Sequence, residues 1–350
     1  MTTGSSSFGE VETSAMRRAL ELAADPAVPL GPNPRVGSVL LDDDGRVVAE
    51  GFHRGAGTRH AEADALHRAG EAARGTTAIV TLEPCNHTGR TGPCAQALIR
   101  AGVRRVVFAQ SDPNPVASGG AQTLRDAGIE VEHGLLEAES RALNRAWLHG
   151  VATGRPLVTW KFAGSLDGRS AAADGSSQWI TSAAARRDTH RLRAEADVML
   201  VGTGTVLADD PRLTVRGDDG EPLGRQPLRA VMGQRAVATS ARVLDDAAET
   251  LLLRTRDPRE ALAELFERGR RHVFLEGGPT LAAAFLRAGV VDEIVAYVAP
   301  VLLGAGRNAV ADLGITGIDA ALRPTVTDAR LIEGGDGEPA NVRFTLELSA

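Results

Sequence analysis

Residues that bind zinc fall close together in one stretch of this chain: His60-Ala61-Glu62, then Pro84-Cys85, then Pro93-Cys94. Zinc favours thiolate and imidazole, and a catalytic zinc takes three protein ligands and keeps a fourth position for a water whose acidity it raises. One histidine and the chain's only two cysteines supply that set. Two thiolates and a neutral imidazole leave little positive charge, so a carboxylate must manage the proton. Glu62, two residues from His60 in the first turn of an expected helix, is the candidate. It would take a proton from the attacking water and deliver it to the substrate. A helix starting at Pro93 is expected to aim its amide N–H groups at the Cys94 thiolate. The bland reading makes His60 a satisfied, partly buried histidine and Cys85 and Cys94 core fillers; the three elements together weigh against it. A structural zinc would need a fourth ligand, for which His53, His67 and His87 are available and His87 is the most serious.

An H-x-E followed by P-C-x-x-C marks enzymes that deaminate nucleobases. Here eight residues separate the cysteines where that signature has two. The longer loop, Asn86 to Pro93, carries His87, Gly89, Arg90 and Gly92. Tethered to zinc at both ends, it is suited to holding a polar substrate through His87 and Arg90.

The elements that must position these residues alternate. Val11 to Ala24 has helical apolar spacing, and Val36 to Leu41 with Val47 to Phe52 flanks Asp43-Asp44-Gly45 as a hairpin. Helices are expected over His60–Ala69, Pro93–Ala101, Ala121–Ala127 and Glu137–Leu148, with strands at Ala78–Leu82 and Val103–Ala109. This pattern predicts a three-layer α/β domain. A seam at His149 to Pro156 precedes a second α/β alternation. Its expected strands are Leu157–Phe162, Val198–Val201, Leu228–Met232, Leu251–Leu253, His272–Leu275 and Ile294–Val298, and its helices Ala183–Ala194, Pro258–Arg268 and Leu281–Ala288. The domains expected are therefore residues 10–150 and 151–350 behind a flexible tail of residues 1–9, with Gly217 to Gly224 a mobile surface loop.

Composition sets limits. The 350 residues suffice for two cores, and 43% hydrophobic with 24% charged residues is a soluble globular balance. A net charge of −6 argues against nucleic acid as the main partner. No apolar run is long enough to span a membrane, and Met1 to Gly9 has no signal-peptide pattern. The cytoplasm is the expected compartment, small molecules the expected partners, and a homo-oligomer, most simply a dimer, the expected assembly. Of 39 basic residues only Lys161 is lysine. A compact ammonium serves where a guanidinium fork does not fit, although codon bias also accounts for the excess of arginine. Glu276-Gly277-Gly278 lies between a strand and a helix, where a glycine turn can cradle phosphate. It lacks the G-x-G-x-x-G spacing, and alone such a loop is more often a plain turn.

The segment T-L-E-P-C-N-H-T-G-R-T-G-P-C after H-A-E resembles the bifunctional deaminase-reductase of bacterial riboflavin biosynthesis. Asn33-Pro34-Arg35-Val36-Gly37 and Asp112-Pro113-Asn114-Pro115 look like further elements of that family. So do Lys161 to Arg169, Ser177-Gln178-Trp179-Ile180, Gly204 to Pro211 and Glu276 to Thr280. The resemblance implies a cytidine-deaminase-like first domain and a dihydrofolate-reductase-like second one. It implies zinc-dependent deamination of 2,5-diamino-6-(5-phosphoribosylamino)pyrimidin-4-one, then NADPH-dependent reduction of the ribosyl chain to ribityl. By it, Ala163, Trp179, Thr205, Asp209 and the segment Gly278, Pro279, Thr280, Leu281, Ala282, Ala283, Ala284 would line the NADPH site. Asn33, Lys161, Ser177, Arg193, Leu213, Arg216 and Glu276 would meet substrate, with Arg193 and Arg216 suited to its phosphate. Ser118-Gly119-Gly120 and Gly233-Gln234 depart from the family's usual residues at those places. The alternatives are a single-function nucleoside or tRNA deaminase with a non-catalytic C-terminal domain, and a non-enzymatic zinc-stabilised binding protein.

Overall fold

Alternation of apolar side chains along the strands decides the layers of the first half. In the computed structural model, which describes residues 8–87, 92–217, 220–335 and 337–348, the chain divides into two units, Met1–Gly154 and Arg155–Ala350. In the first, β1 (Gly37–Leu41) and β2 (Val47–Phe52) form the antiparallel hairpin. The other edge of β1 pairs with β3 (Thr77–Leu82), and β4 (Arg105–Gln110) and β5 (Glu130–His133) continue in parallel, giving the order β2-β1-β3-β4-β5. Val39, Leu41, Ile79, Val107 and Ala109 join one core with Ala15, Met16 and Ala19 of α1 (Glu10–Ala23). Their neighbours Leu40, Val80, Val106 and Phe108 join a second core with apolar residues of α2 (Ala61–Ala69), α3 (Cys94–Ala101) and α4 (Gly120–Asp126). A strand buried on both faces lacks the alternation of a half-exposed one, and Thr77–Leu82 is buried at every position.

The single helix expected over Glu137–Leu148 is two, α5 (Glu137–Leu143) and α6 (Arg145–Thr153), broken at Asn144. The buried Asn144 amide is occupied elsewhere: its oxygen accepts the Arg35 N–H at 2.8 Å and its nitrogen donates to the Arg35 carbonyl at 2.9 Å. This two-point clamp fixes the segment that carries Asn33. Gly154, at φ 72°, ends α6. Of the expected N-terminal tail, residues 1–7 lie outside the described residues, Phe8 packs against the α1 core, and Gly9 precedes α1 as its cap.

The second unit carries an eight-stranded sheet in the order β10-β9-β8-β11-β6-β12-β15-β14. Its parallel part comprises β6 (Leu157–Ser165), β8 (Val198–Gly202), β9 (Leu228–Met232), β10 (Thr250–Leu253), β11 (His272–Leu275) and β12 (Glu293–Ala299). A short ribbon pairs β7 (Arg169–Ala171) with β13 (Arg307–Asn308). Helices α9 (Pro258–Glu267) and α10 (Pro279–Arg287) bury Leu262, Leu265 and Phe285 on one face of the sheet. The other face packs Met199, Val201, Val231 and Phe274 against Val206 of α8 (Thr203–Asp209) and Leu192 of α7 (Ala183–Ala194).

Two antiparallel strands, β14 (Thr325–Ile332) and β15 (Asn341–Glu347), extend the sheet beyond the last strand read from the sequence. The edge strand β14 is exposed along most of its length and so has no apolar run to betray it. Helix α8 also went unread, because Gly202-Thr203-Gly204-Thr205 looks like a turn; Gly202 instead caps a helix that buries Val206. In the expected loop Gly217–Gly224, residues 218 and 219 lie outside the described residues, and Pro222 within it pairs with Arg216 just before it.

Candidate active sites

Local backbone geometry brings the first three ligands together. His60 is the N-cap of α2, with ψ 160°, so its ring stands off the helix start while Glu62 enters the first turn. Cys85 follows the end of β3 and Cys94 opens α3. The His60 Nδ1 atom lies 3.6 Å from Cys85 Sγ and 3.3 Å from Cys94 Sγ, and the three donor atoms all fall within 4.8 Å of one another. Tetrahedral zinc with bonds of about 2.3 Å to sulfur and about 2.05 Å to nitrogen requires an N···S edge of about 3.6 Å. The donor set therefore fits zinc in both chemistry and spacing. The expected N–H at α3 goes to the other cysteine: Cys94 N–H donates to Cys85 Sγ at 3.4 Å, because the helix starts at Cys94 and not at Pro93. A side-chain hydrogen bond shared with Cys94, with His60 alongside, holds the Cys85 thiol down at about 4 against its burial.

Among the described residues no fourth histidine or acid joins this group. His53 is engaged on both ring nitrogens, Nδ1 with the Arg59 carbonyl and Nε2 with the Asn33 amide, each at 3.0 Å. His67 is exposed on α2. His87 instead lines the cavity, and its buried Nδ1 has no hydrogen-bond partner among the described residues. Arg90 lies outside the described residues.

Glu62 is buried, and burial, followed by the charge on Cys85, pushes its carboxyl up to about 7. That places it near the proton affinity a general acid–base needs. The cavity here, about 420 Å³, is lined by His60, Glu62 and Cys85 together with Asn33, His53, Asp112, Asn114 and Trp147. Of these, Asp112, Asn114 and Trp147 are residues that sequence reasoning left without a role at the site. Glu83 was missed too: buried, its carboxylate accepts the Asp112 and Ala121 N–H groups at 3.2 and 3.0 Å and ties the Asp112 loop to α4. The glycines of Ser118-Gly119-Gly120 have a steric cause. Gly119 has φ +92°, and a Cβ on Gly120 would sit 1.7 Å from the Pro84 carbonyl oxygen.

The second unit has its own cavity of about 1000 Å³ at the carboxyl ends of parallel strands, where open α/β sheets bind ligands. Lys161, Ala163, Ser177, Thr205, Asp209, Glu276, Gly278, Pro279, Thr280, Leu281 and Ala284 line it. Ala282 and Ala283 do not, because the helical turn directs them into the core, where both are fully buried. Trp179 is also absent from the lining; it is 68% exposed with Arg186 over its ring. The residues missed here are basic: Arg235, Arg256, Arg287 and Arg307 line the same cavity. Gly278 caps α10, and a Cβ on Gly277 would meet Leu281 at 2.6 Å, so the glycine turn is pressed against the helix it feeds. A helix N-terminus with guanidinium groups along the cavity suits a polyanionic dinucleotide such as NADPH.

Arg193 and Glu276, both expected to meet substrate, face each other in a bidentate ion pair with bonds of 2.6 and 2.7 Å. Burial opposes the Glu276 charge, but Arg193 and then Lys161 prevail and take its carboxyl down to about 2. Burial lowers the proton affinity of Lys161, and Glu276 opposes that. Leu213, at φ 55°, is buried, and Leu213, Arg193 and Arg216 are all absent from the residues that line the cavity. The Nε atom of Arg216 is buried and has no hydrogen-bond partner among the described residues.

Comparison with known proteins agrees with both halves. Residues 10–110 match the family model of the cytidine and deoxycytidylate deaminase zinc-binding region, and residues 156–335 match the RibD C-terminal domain. The chain is 56% identical over 294 residues to a riboflavin biosynthesis protein RibD of Mycobacterium tuberculosis, covering 83% of this chain and 86% of the relative. It is 45% identical over 322 residues to the protein of that name from Escherichia coli, covering 83% and 88%. The solved structure of Acinetobacter baumannii RibD superposes with a TM-score of 0.83 at 38% identity, covering 97% of this chain and 99% of that one. A diaminohydroxyphosphoribosylaminopyrimidine deaminase/5-amino-6-(5-phosphoribosylamino)uracil reductase from Thermotoga maritima does so at 0.84 and 32% identity, with the same coverage.

Proposed function

The chain belongs to the RibD family of riboflavin biosynthesis proteins, and from that premise we propose a residue-level account of its two reactions. It is a bifunctional riboflavin-pathway enzyme, a zinc-dependent pyrimidine deaminase and an NADPH-dependent reductase. The reductase match of residues 156–335 weighs against a deaminase with a non-catalytic second half. In our reading residues 10–150 deaminate 2,5-diamino-6-(5-phosphoribosylamino)pyrimidin-4-one, and residues 151–350 then reduce the ribosyl chain of 5-amino-6-(5-phosphoribosylamino)uracil. We also place the chain in the cytoplasm, as a homo-oligomer. Small molecules, and neither nucleic acid nor membrane, are its partners; the net charge of −6 supports the former, and no helix among the described residues is long and apolar enough to cross a membrane.

His60, Cys85 and Cys94 hold zinc, which when bound activates water as the nucleophile. Glu62 takes one proton from the attacking water and passes it to the ring nitrogen, then takes the second from the added hydroxyl and passes it to the amine, which leaves as ammonia as the carbonyl forms. Asn33 presents its amide oxygen to the pyrimidine: the buried His53 ring uses Nδ1–H on the Arg59 carbonyl, so its Nε2 accepts from the Asn33 nitrogen and turns the oxygen into the cavity. His87 completes the polar wall, and Arg90, outside the described residues, is assigned to the substrate only from its place in the same sequence segment.

In the reductase NADPH supplies the hydride, and Gly278, Thr205 and Asp209 line its binding groove. Arg193 holds Glu276 in place, and Glu276 and Lys161 face the ribosyl chain from the cavity wall. Arg216, whose guanidinium has no carboxylate partner among the described residues, takes the substrate phosphate.

The observation that carries this reading is the His60–Cys85–Cys94 triangle with buried Glu62 beside it on a cavity. Reciprocal variants test it. Glu62→Gln is expected to stop ammonia release and spare reduction of the deaminated intermediate, and Lys161→Arg to do the reverse. Ammonia release near the wild-type rate from the first variant refutes the role of Glu62, and unimpaired reduction by the second refutes that of Lys161.

A further inference from the structure

Helix α7 grips the segment carrying Arg216 at two points. The Arg193 Nη1 atom donates to the Thr214 carbonyl at 3.3 Å. One turn earlier on the same helix, His190 Nδ1 accepts the backbone N–H of Arg216 at 3.2 Å, across 26 residues of chain. Thr214 and Arg216 are two residues apart on the segment, and His190 and Arg193, at positions i and i+3 of the helix, share the face that holds them. Thr214 and Val215, which precede Arg216, are buried at 1%, and a buried backbone group left without a partner is costly.

Because Nδ1 accepts, the ring must be neutral with its proton on Nε2. The surroundings enforce this: burial first, then the charges of Arg193 and Arg216, press the His190 proton affinity down to about 4. Burial and its neighbours Arg193, Arg242 and Arg212 all lower the proton affinity of Arg216, and among the described residues its buried Nε has no hydrogen-bond partner. A cation left in this state is poised for an anion, and its aim depends on the backbone that carries it.

We propose that His190 is a positioning residue of the reductase, whose Nδ1 anchors the Arg216 backbone so that the Arg216 guanidinium meets the phosphate of the substrate. This rests on the reading above that Arg216 takes that phosphate. His190 touches neither substrate nor cofactor; it acts through Arg216.

The test uses the full-length zinc-loaded enzyme and the deaminated phosphoribosyl intermediate, following NADPH oxidation, with the dephosphorylated intermediate in parallel. Three variants are compared: His190→Phe, which fills the ring's volume without an acceptor; His190→Asn, which restores an acceptor near Nδ1; and Arg216→Ala. Losing one buried hydrogen bond corresponds to roughly fivefold to tenfold. His190→Phe is expected to raise KM for the phosphorylated intermediate by about that factor while kcat and KM for NADPH change less than about twofold. His190→Asn recovers most of the loss. On the dephosphorylated intermediate wild type and His190→Phe should have the same KM. Should Arg216→Ala raise KM for the phosphorylated intermediate while His190→Phe does not, the inference about His190 is wrong and the phosphate reading survives. If Arg216→Ala leaves that KM unchanged, the phosphate reading fails, and the role of His190 with it. A fall in kcat, or an equal loss with both intermediates, marks His190 as general scaffolding and also overturns the proposal.

Discussion

Glu62 is a carboxylate that the fold keeps from ionising freely, and this decides what its removal should do. Its carboxyl lies near 7 through burial and the neighbouring Cys85 charge, so it can both accept and return a proton at neutral pH. Glu62→Gln is expected to retain one zinc per chain by metal analysis while ammonia release falls at least about 100-fold. Glu276 is tuned in the opposite direction, ionised by Arg193 in spite of burial. Replacing it with Gln leaves the buried Arg193 without its counter-charge, which costs about 3–5 kcal/mol. A denaturation experiment on the reductase transition should show this loss with the deaminase transition unmoved. His190 provides a pH signature. Its folded value of about 4 lies below the ordinary 6.5, so the unfolded chain binds more protons between those values. That contribution is complete above pH 6.5 and is lost as pH falls towards 4. His190→Asn should therefore lose less stability than wild type over that window; equal losses would contradict the assignment. The zinc ligands and Glu62 were legible because spacing and residue type coincide in one short segment. Glu83, His190 and the arginines of the second cavity were not, since each acquires its role only from partners distant in sequence.

At the scale of elements, the deaminase site depends on how tightly α4 and the Asn33 segment are seated. Gly120 lets the start of α4 lie against the Pro84 carbonyl, one residue before Cys85. Gly120→Ala forces that helix away, at a cost of about 1–3 kcal/mol, and is expected to loosen zinc and slow ammonia release while reduction persists. Zinc affinity and ammonia release both unchanged would show that the contact does not seat Cys85. Periodicity located most helices and buried strands in the sequence, because runs such as His272–Leu275 and Leu228–Met232 have no other stable placement. It failed where burial does not drive the element. Strand β14 is an exposed edge held by backbone pairing, α8 opens on glycines that mimic a turn, and the break at Asn144 serves a side-chain clamp that no local pattern announces.

At the scale of the whole molecule, each unit has its own core and its own cavity, so the two reactions should be separable by removing zinc. Chelation is expected to abolish ammonia release and leave NADPH-dependent reduction of the pre-deaminated intermediate intact, with activity restored by added zinc. The order of the two steps is the central claim, and one paired assay addresses it most directly. The phosphoribosylated diaminopyrimidine is supplied to the intact enzyme, with ammonia followed in the absence of NADPH and NADPH oxidation followed in its presence. The account predicts ammonia in both conditions and NADPH consumption that lags behind it. NADPH oxidation that precedes ammonia release, or that proceeds unimpeded in Glu62→Gln with the same substrate, would contradict it.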